Sequence, residues 1–215
     1  MADTSTLILL VRHGETTTTG KVLPGRAKGL HLSDRGRGQA EFAASRIAEA
    51  SEGAQRKVVA VYASPLERTK ETAVPISEAL GLRTRISKGL VECDFGDWTG
   101  QRLTTLRKRR EWSDVQARPS EFRFPGGESF VEMQTRIWTD LQRIRSEHPA
   151  STVVAVSHAD PIKAAVAAAL GLGLDMFQRL VVSPCSITPI LFTPTGPIVL
   201  AINSTGDDLS QLVPS

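Results

Sequence analysis

The chain has 215 residues, 40% of them hydrophobic and 23% charged, which is the make-up of an ordinary globular domain. Its formal net charge of +3 leans mildly toward anionic ligands and makes no case for nucleic acid. Two cysteines, Cys93 and Cys185, exclude a disulfide framework, no stretch approaches the roughly 18 apolar residues of a membrane span, and residues 7–11 are too short for a secretion signal, so a reduced, cytoplasmic protein is expected.

Residues 7–11 form an apolar run stopped by Arg12, His13, Gly14, Glu15 and Thr16, the pattern of a buried strand that delivers His13 to its C-terminal end. Residues 16–31, rich in Thr, Gly and basic side chains, read as a functional loop. Ser33 is placed to cap a helix with Asp34 in its first turn, followed by Ala40, Ala43, Ala44, Ile47 and Ala48 at helical spacing. A second strand at 58–63 leads into a helix over 64–80, with Pro65 at the first helical position and a stripe of Leu66, Thr69, Ala73, Ile76 and Leu80. Residues 90–98 are a polar–aromatic loop. Phe130, Met133, Ile137, Leu141 and Ile144 make the cleanest stripe, stopped by Pro149. A strand at 152–156 is followed by His158 and a helix over 161–170, and residues 186–193 and 198–202 read as a closing strand pair.

Strands alternating with helices predict an α/β fold, a three-layer α/β/α sandwich on a mostly parallel mixed sheet with right-handed crossovers. A single domain over residues 1–215 is expected, its core at about 7–203 and its C-terminal tail frayed.

Three strand ends then supply two histidines and two arginines. In open α/β sheets ligands gather outside such ends. A phosphomonoester worked on without metal needs fixed cations against its charge, and Arg12 and Arg68 suit that role because the guanidinium fork bonds two oxygens at once. His158, if protonated, is a third donor, and the backbone N–H at Ala159, opening the next helix, a fourth. His13 is the candidate nucleophile, neutral at its attacking nitrogen. Glu92 is the candidate acid, its pKa expected to rise beside the phosphate charge. The same residues have duller readings: a surface turn for Arg12-His13, a helix-surface charge for Arg68, a core histidine for His158 and a structural ion pair for Glu92. Their joint appearance favours the chemical reading.

The sequence resembles the histidine phosphatase superfamily, in its phosphoglycerate-mutase-like branch, from residue 7 to about 202. Arg12-His13-Gly14-Glu15-Thr16 resembles the motif whose histidine is phosphorylated. Leu32, Ser33, Gly36, Gln39 and Ala40 match the first helix, and Ser64-Pro65-Leu66 with Arg68-Thr69 and Thr72-Ala73 the element of the second arginine. Glu92 with Gly96, Trp98 and Gly100 resembles the acid/base loop, Pro125-Gly126-Gly127-Glu128-Ser129 the segment before the long helix, and Val156-Ser157-His158 the second-histidine motif. Two positions depart. Thr19 stands where the family has a phosphate-touching Asn, and Thr18 or Thr19 would donate through a hydroxyl in its place. Ala159-Asp160 stands where Gly-Gly is common, and Asp160 is read as a helix cap in preference to a second acid.

The resemblance implies a metal-independent phosphomonoesterase, without cofactor, acting on a small phosphorylated metabolite through phosphohistidine, with neither nucleic acid nor membrane as partner and a homodimer left open. Residues 101–124 are shorter than the mutases' lid, which favours phosphatase over phosphomutase; a non-catalytic phosphate-binding protein is the third reading. Arg107, Lys108, Arg109 and Arg110 would supply substrate-binding cations if the mutase reading held. His31 and His148 are expected to do no chemistry, with His148 suiting a helix end as a cation, and Trp98 and Trp112 are read as core.

Overall fold

The computed structural model describes residues 4–52 and 57–206. The expected frayed tail lies largely outside them. Six strands form one sheet in the order β3-β2-β4-β1-β5-β6, with β1 at Thr6–Arg12, β2 at Val58–Ala63, β3 at Thr84–Ile86, β4 at Thr152–Ser157, β5 at Ile187–Thr193 and β6 at Gly196–Val199. β3, β2, β4 and β1 run parallel, while β5 pairs antiparallel with β1 and β6 antiparallel with β5. The sheet is therefore mixed and mostly parallel, as the alternating pattern predicts.

Central parallel strands are covered on both faces, so both parities of side chain are apolar. Ile8 and Leu10 of β1 and Val153 and Ala155 of β4 pack with Ile137, Leu141 and Ile144 of α5 (Phe130–Glu147) and Ile162, Ala165 and Val166 of α6 (Ala159–Leu170). The alternate residues Leu9, Val11, Val154 and Val156 pack with Ala44 and Ile47 of α1 (Asp34–Glu52) and Ala73 and Ile76 of α2 (Glu67–Ala79). Two short helices, α3 (Leu103–Leu106) and α4 (Glu111–Ala117), lie between the loop of Glu92 and α5. Around them an aromatic cluster forms, with Trp98 and Phe124 at 5.4 Å between ring centroids and Phe124 and Phe130 at 5.2 Å. Trp112 stacks on Trp98, in keeping with a packing role for both.

Helix ends follow local chemistry. Ser129 and Glu132 form a reciprocal capping box at the start of α5, and Gly171 closes α6 in the left-handed conformation. Ser33 Oγ accepts from Gly36 N–H at 3.1 Å at the start of α1. Two expectations change. α2 begins at Glu67, not Ser64, because Ser64 N–H donates to Val156 O at 3.0 Å and continues the ladder beyond β2, and a residue before proline favours extended backbone. Asp160 does not cap α6: His158 occupies the N-cap position and no side chain bonds the cap.

Candidate functional site

Register assembles the site. Arg12 pairs with Ser157 across β1 and β4, so the next residue on each strand, His13 and His158, fall side by side. Ala63 pairs with Val156 across β2 and β4, which brings Ser64 beside Ser157. Two more ladder bonds, His13 N–H to Ser157 O and Ser64 N–H to Val156 O, each 3.0 Å, carry the backbone past the strand ends. The His13 and His158 rings meet edge to face at 5.1 Å.

His13 is 4% exposed, and its Nδ1 lies 2.8 Å from Gly14 O. A carbonyl only accepts, so the proton sits on Nδ1 and the lone pair on Nε2. That lone pair accepts from Arg68 Nε at 3.3 Å. Burial, then the charges of Arg12 and Arg68, hold the His13 pKa well below the ordinary imidazole value. The ring is neutral, with an unprotonated nitrogen in contact with the Arg68 guanidinium.

His158 is fully buried and its Nε2 lies 2.8 Å from Ser64 Oγ. Leu66 N–H donates to that same oxygen at 3.4 Å, and with the serine hydroxyl donating to Nε2 the imidazole proton lies on Nδ1. Burial and Arg68 lower the His158 pKa far below its usual value. The sequence reading allowed a charged donor; burial makes it a neutral one.

Arg68, the second residue of α2, is fully buried and anchored by Nη2 to Gly25 O at 2.8 Å, and Arg12 is anchored by Nη1 to Val182 O at 2.6 Å. Each anchor uses part of the fork. Arg12 Nε, Arg68 Nη1 and His158 Nδ1 are buried with no hydrogen-bond partner among the described residues. Buried polar groups are normally paired, and these three leave hydrogen-bonding capacity unmet on residues near His13, of which Arg12 lines the cavity described below and Arg68 and His158 do not.

Glu92 is 6% exposed, and Oε1 accepts from the N–H of Cys93 at 2.9 Å. Its carboxyl is raised to about 7, chiefly by burial and next by the negative charge of Asp160, against the opposing pull of Arg68. The cause differs from the one expected, since no phosphate is needed. Its loop is held by carbonyls. Arg136 Nη1 donates to Gly89 O and Val91 O at 2.8 and 2.9 Å, and Arg26 Nε to Glu92 O at 2.9 Å. Glu128 ties both arginines together, at 2.9 Å from Arg136 and 3.0 Å from Arg26.

A cavity of about 440 Å³ contains Arg12, His13, Glu92, Thr19 and Ala159 in its wall. Thr19 Oγ1 is engaged in its own loop, accepting from Thr16 N–H at 2.9 Å. Asp160, expected at a cap, lines the cavity instead, with Lys163 and Gln178 beyond it. Of residues 101–124 only Leu103 contributes to that wall. Arg107, Lys108, Arg109 and Arg110 do not, and Arg109 lies over the Trp98 ring. Lys163, Gln178, Arg26, Arg136 and the carbonyls of Gly25 and Val182 escaped the sequence reading. Lys163 had a signal, one turn along the helix that follows His158; the carbonyls had none. His31 pairs with Glu71 and does not line this cavity. His148 is held below its ordinary pKa by burial and Arg85, and lies 3.0 Å from the Tyr62 hydroxyl, so it is no helix-end cation.

Fold and site together define an α/β protein that presents neutral histidines and buried arginines to an anion at the carboxyl edge of its parallel strands. The sequence pattern of the Histidine phosphatase superfamily (branch 1) matches residues 8–205. Phosphoserine phosphatase 1 of Hydrogenobacter thermophilus is 31% identical over 206 residues, covering 92% of each chain. A bifunctional protein of Mycobacterium tuberculosis is 33% identical over 94% of this chain, which spans 55% of that relative's length. Among solved structures, mycobacterial glucosyl-3-phosphoglycerate phosphatase superposes with a TM-score of 0.81 at 24% identity, over 93% of this chain and 99% of the other. An Entamoeba histolytica phosphoserine phosphatase mutant solved with phosphoserine gives 0.79 at 25%, over 93% and 98%. The chain belongs to the histidine phosphatase superfamily, branch 1.

Proposed function

We propose that the protein hydrolyses a small phosphomonoester in two steps through phosphohistidine on His13. The observation that carries this reading is the tautomer of His13: Nδ1–H is fixed on Gly14 O, which leaves an unprotonated Nε2 among buried donors. In the first step Nε2 attacks phosphorus, the P–O bond to the leaving group breaks, and Glu92 gives its proton to the leaving oxygen. Arg68 Nε shifts from Nε2 to a phosphoryl oxygen, so the donor that held the resting imidazole stabilises the transferring group. Arg12, His158 and the backbone at Ala159 hold the other oxygens, and the Thr19 loop closes that side. In the second step water attacks phosphorus, ionised Glu92 takes its proton, and the P–N bond breaks to restore neutral His13 and release phosphate. No step requires a metal.

Water must reach phosphorus for hydrolysis to complete. Gly20 and Val181 of the cavity wall are exposed, and the short 101–124 segment covers little of it. That favours hydrolysis over return of the phosphoryl group to a second acceptor. The names of the relatives, phosphoserine phosphatase and glucosyl-3-phosphoglycerate phosphatase, support a small phosphorylated metabolite as substrate. We place the reaction in the cytoplasm on the two buried, unpaired cysteines.

Phosphate release from a panel of phosphomonoesters by wild type and His13→Asn, with 3-phosphoglycerate and 2,3-bisphosphoglycerate assayed for isomerisation, tests the reading. Release that vanishes in the variant, without isomerisation, is the expected result. Isomerisation would make the protein a mutase, and silence on every substrate would leave a phosphate-binding protein.

A further inference from the structure

The cavity holds one charged pair that takes no direct part in the two-step reaction. Asp160 and Lys163, three residues apart in the first turns of α6, bring Oδ1 and Nζ to 3.6 Å, with side chains 18% and 16% exposed. Lys163 Nζ also donates to Gln178 Oε1 at 3.3 Å, which braces the ammonium from a second element. Residues at this spacing on a helix lie about 5–6 Å apart at Cβ. Asp160 follows Ala159 directly, so the pair begins beside the backbone proposed to hold phosphate. Much of the remaining wall is apolar, Leu23, Leu103, Leu180 and Val181 among it. Its polar side chains beyond Arg12, His13 and Glu92 are Thr16, Thr19, Asp160, Lys163 and Gln178.

Charge narrows the choice of leaving group. Arg12 and Lys163 of the wall are positive, as is Arg68 in contact with His13, Asp160 is negative, and Glu92 enters the first step carrying its proton. The balance is two positive charges, which a phosphate dianion neutralises. A leaving group with only a carboxylate would add a negative charge beside Asp160, and one with only an ammonium a positive charge beside Lys163. A leaving group bearing both adds none. It also exchanges the Asp160–Lys163 contact for two contacts of the same kind, ammonium on Asp160 and carboxylate on Lys163.

We propose that Asp160 and Lys163, with Gln178 bracing the lysine, form a zwitterion subsite that selects the phosphomonoester of a hydroxy-amino acid. This rests on the phosphatase reading and names its substrate class. The test compares kcat/KM for O-phospho-L-serine, O-phosphoethanolamine, which lacks the carboxylate, and 3-phosphoglycerate, which lacks the ammonium, with p-nitrophenyl phosphate as a measure of phosphatase activity itself. Wild type should favour phosphoserine over both partial analogues by about tenfold or more, because a site built for a polar group rejects the analogue without it. Asp160→Asn should narrow the preference over 3-phosphoglycerate and keep that over phosphoethanolamine, and Lys163→Met should do the reverse. Lys163→Arg should restore part of the lost preference. That crossed pattern cannot come from misfolding, which lowers all substrates together. Equal turnover of 3-phosphoglycerate or of a sugar phosphate by wild type would overturn the subsite and leave the phosphatase standing. So would variants that lose all three substrates in proportion. No release from p-nitrophenyl phosphate by wild type would overturn both.

Discussion

His13 offers a nitrogen defined by two contacts, one to Gly14 O and one from Arg68, and both act on its charge as well as its direction. With its pKa held well below 6.5, the imidazole stays neutral through the physiological range. Activity should therefore not decline between pH 8 and 6 on its account. The limb that does appear belongs to Glu92. Its proton is lost as pH rises through about 7, so kcat/KM for an alkyl phosphate should fall above that pH. Glu92→Gln should remove the limb and lower alkyl phosphate turnover by about 10²–10⁴-fold. The loss with p-nitrophenyl phosphate, whose leaving group needs no proton, should be far smaller; equal losses would assign the acid role elsewhere. Stability carries the same signature. The folded protein binds the Glu92 proton more tightly than the unfolded chain between the ordinary 4.5 and about 7, so this residue's contribution falls as pH rises across that window and is level above it. Melting temperatures of wild type and Glu92→Gln should diverge across that window, wild type losing ground. Arg12, His13 and Arg68 were legible in the sequence because each follows an apolar run or sits in a helix start. Asp160 was not: the same letters before a proline suit a cap, and only packing turned the carboxylate into the cavity.

At the scale of elements, the loop of His13 is seated by contact between backbones. A Cβ on Gly36 of α1 would come within 2.0 Å of Glu15 O, and one on Gly14 within 2.5 Å of Gly36 O. Neither neighbour is a side chain that can swing away. Gly36→Ala should destabilise by about 2–3 kcal/mol, in the range of overpacking, and lower turnover by displacing the residues after β1. Thermal unfolding together with p-nitrophenyl phosphate kinetics reads both, and an unchanged melting temperature would refute the contact. The Glu92 loop depends on Arg136. Its removal strands the carbonyls of Gly89 and Val91 and weakens the hold on Glu128. Arg136→Met should destabilise by about 2 kcal/mol, typical of buried groups left without partners. It should also depress turnover of alkyl phosphates more than of p-nitrophenyl phosphate, because Glu92 is what moves. The five-residue stripe of α5 was readable residue by residue, and all five are buried. The start of α2 was misplaced because Ser64 and Pro65 carry cap chemistry while tertiary pairing of the Ser64 N–H continues the strand ladder and delays the helix to Glu67.

Over the whole molecule, function follows from the register of three parallel strands, which puts residues distant in sequence at one edge. That much was legible, since apolar runs followed by polar motifs predict strand ends, and strand ends predict a ligand. What stayed hidden comes from returns of the chain over long distances. Val182 O reaches Arg12 from a loop 170 residues away, and Gly25 O reaches Arg68 from 43 away, with no periodicity or motif to mark either. The proposed reaction calls on no metal, so prolonged treatment with a chelator should leave turnover unchanged; a strong loss would point to metal-dependent hydrolysis. The most direct measurement is chemical. Rapid quenching with a phosphorylated substrate, followed by peptide mapping, should give a phosphoryl group on the peptide containing His13, stable in base and lost in acid, and absent from His13→Asn. Turnover without that adduct, or turnover retained by the variant, would contradict covalent catalysis through His13.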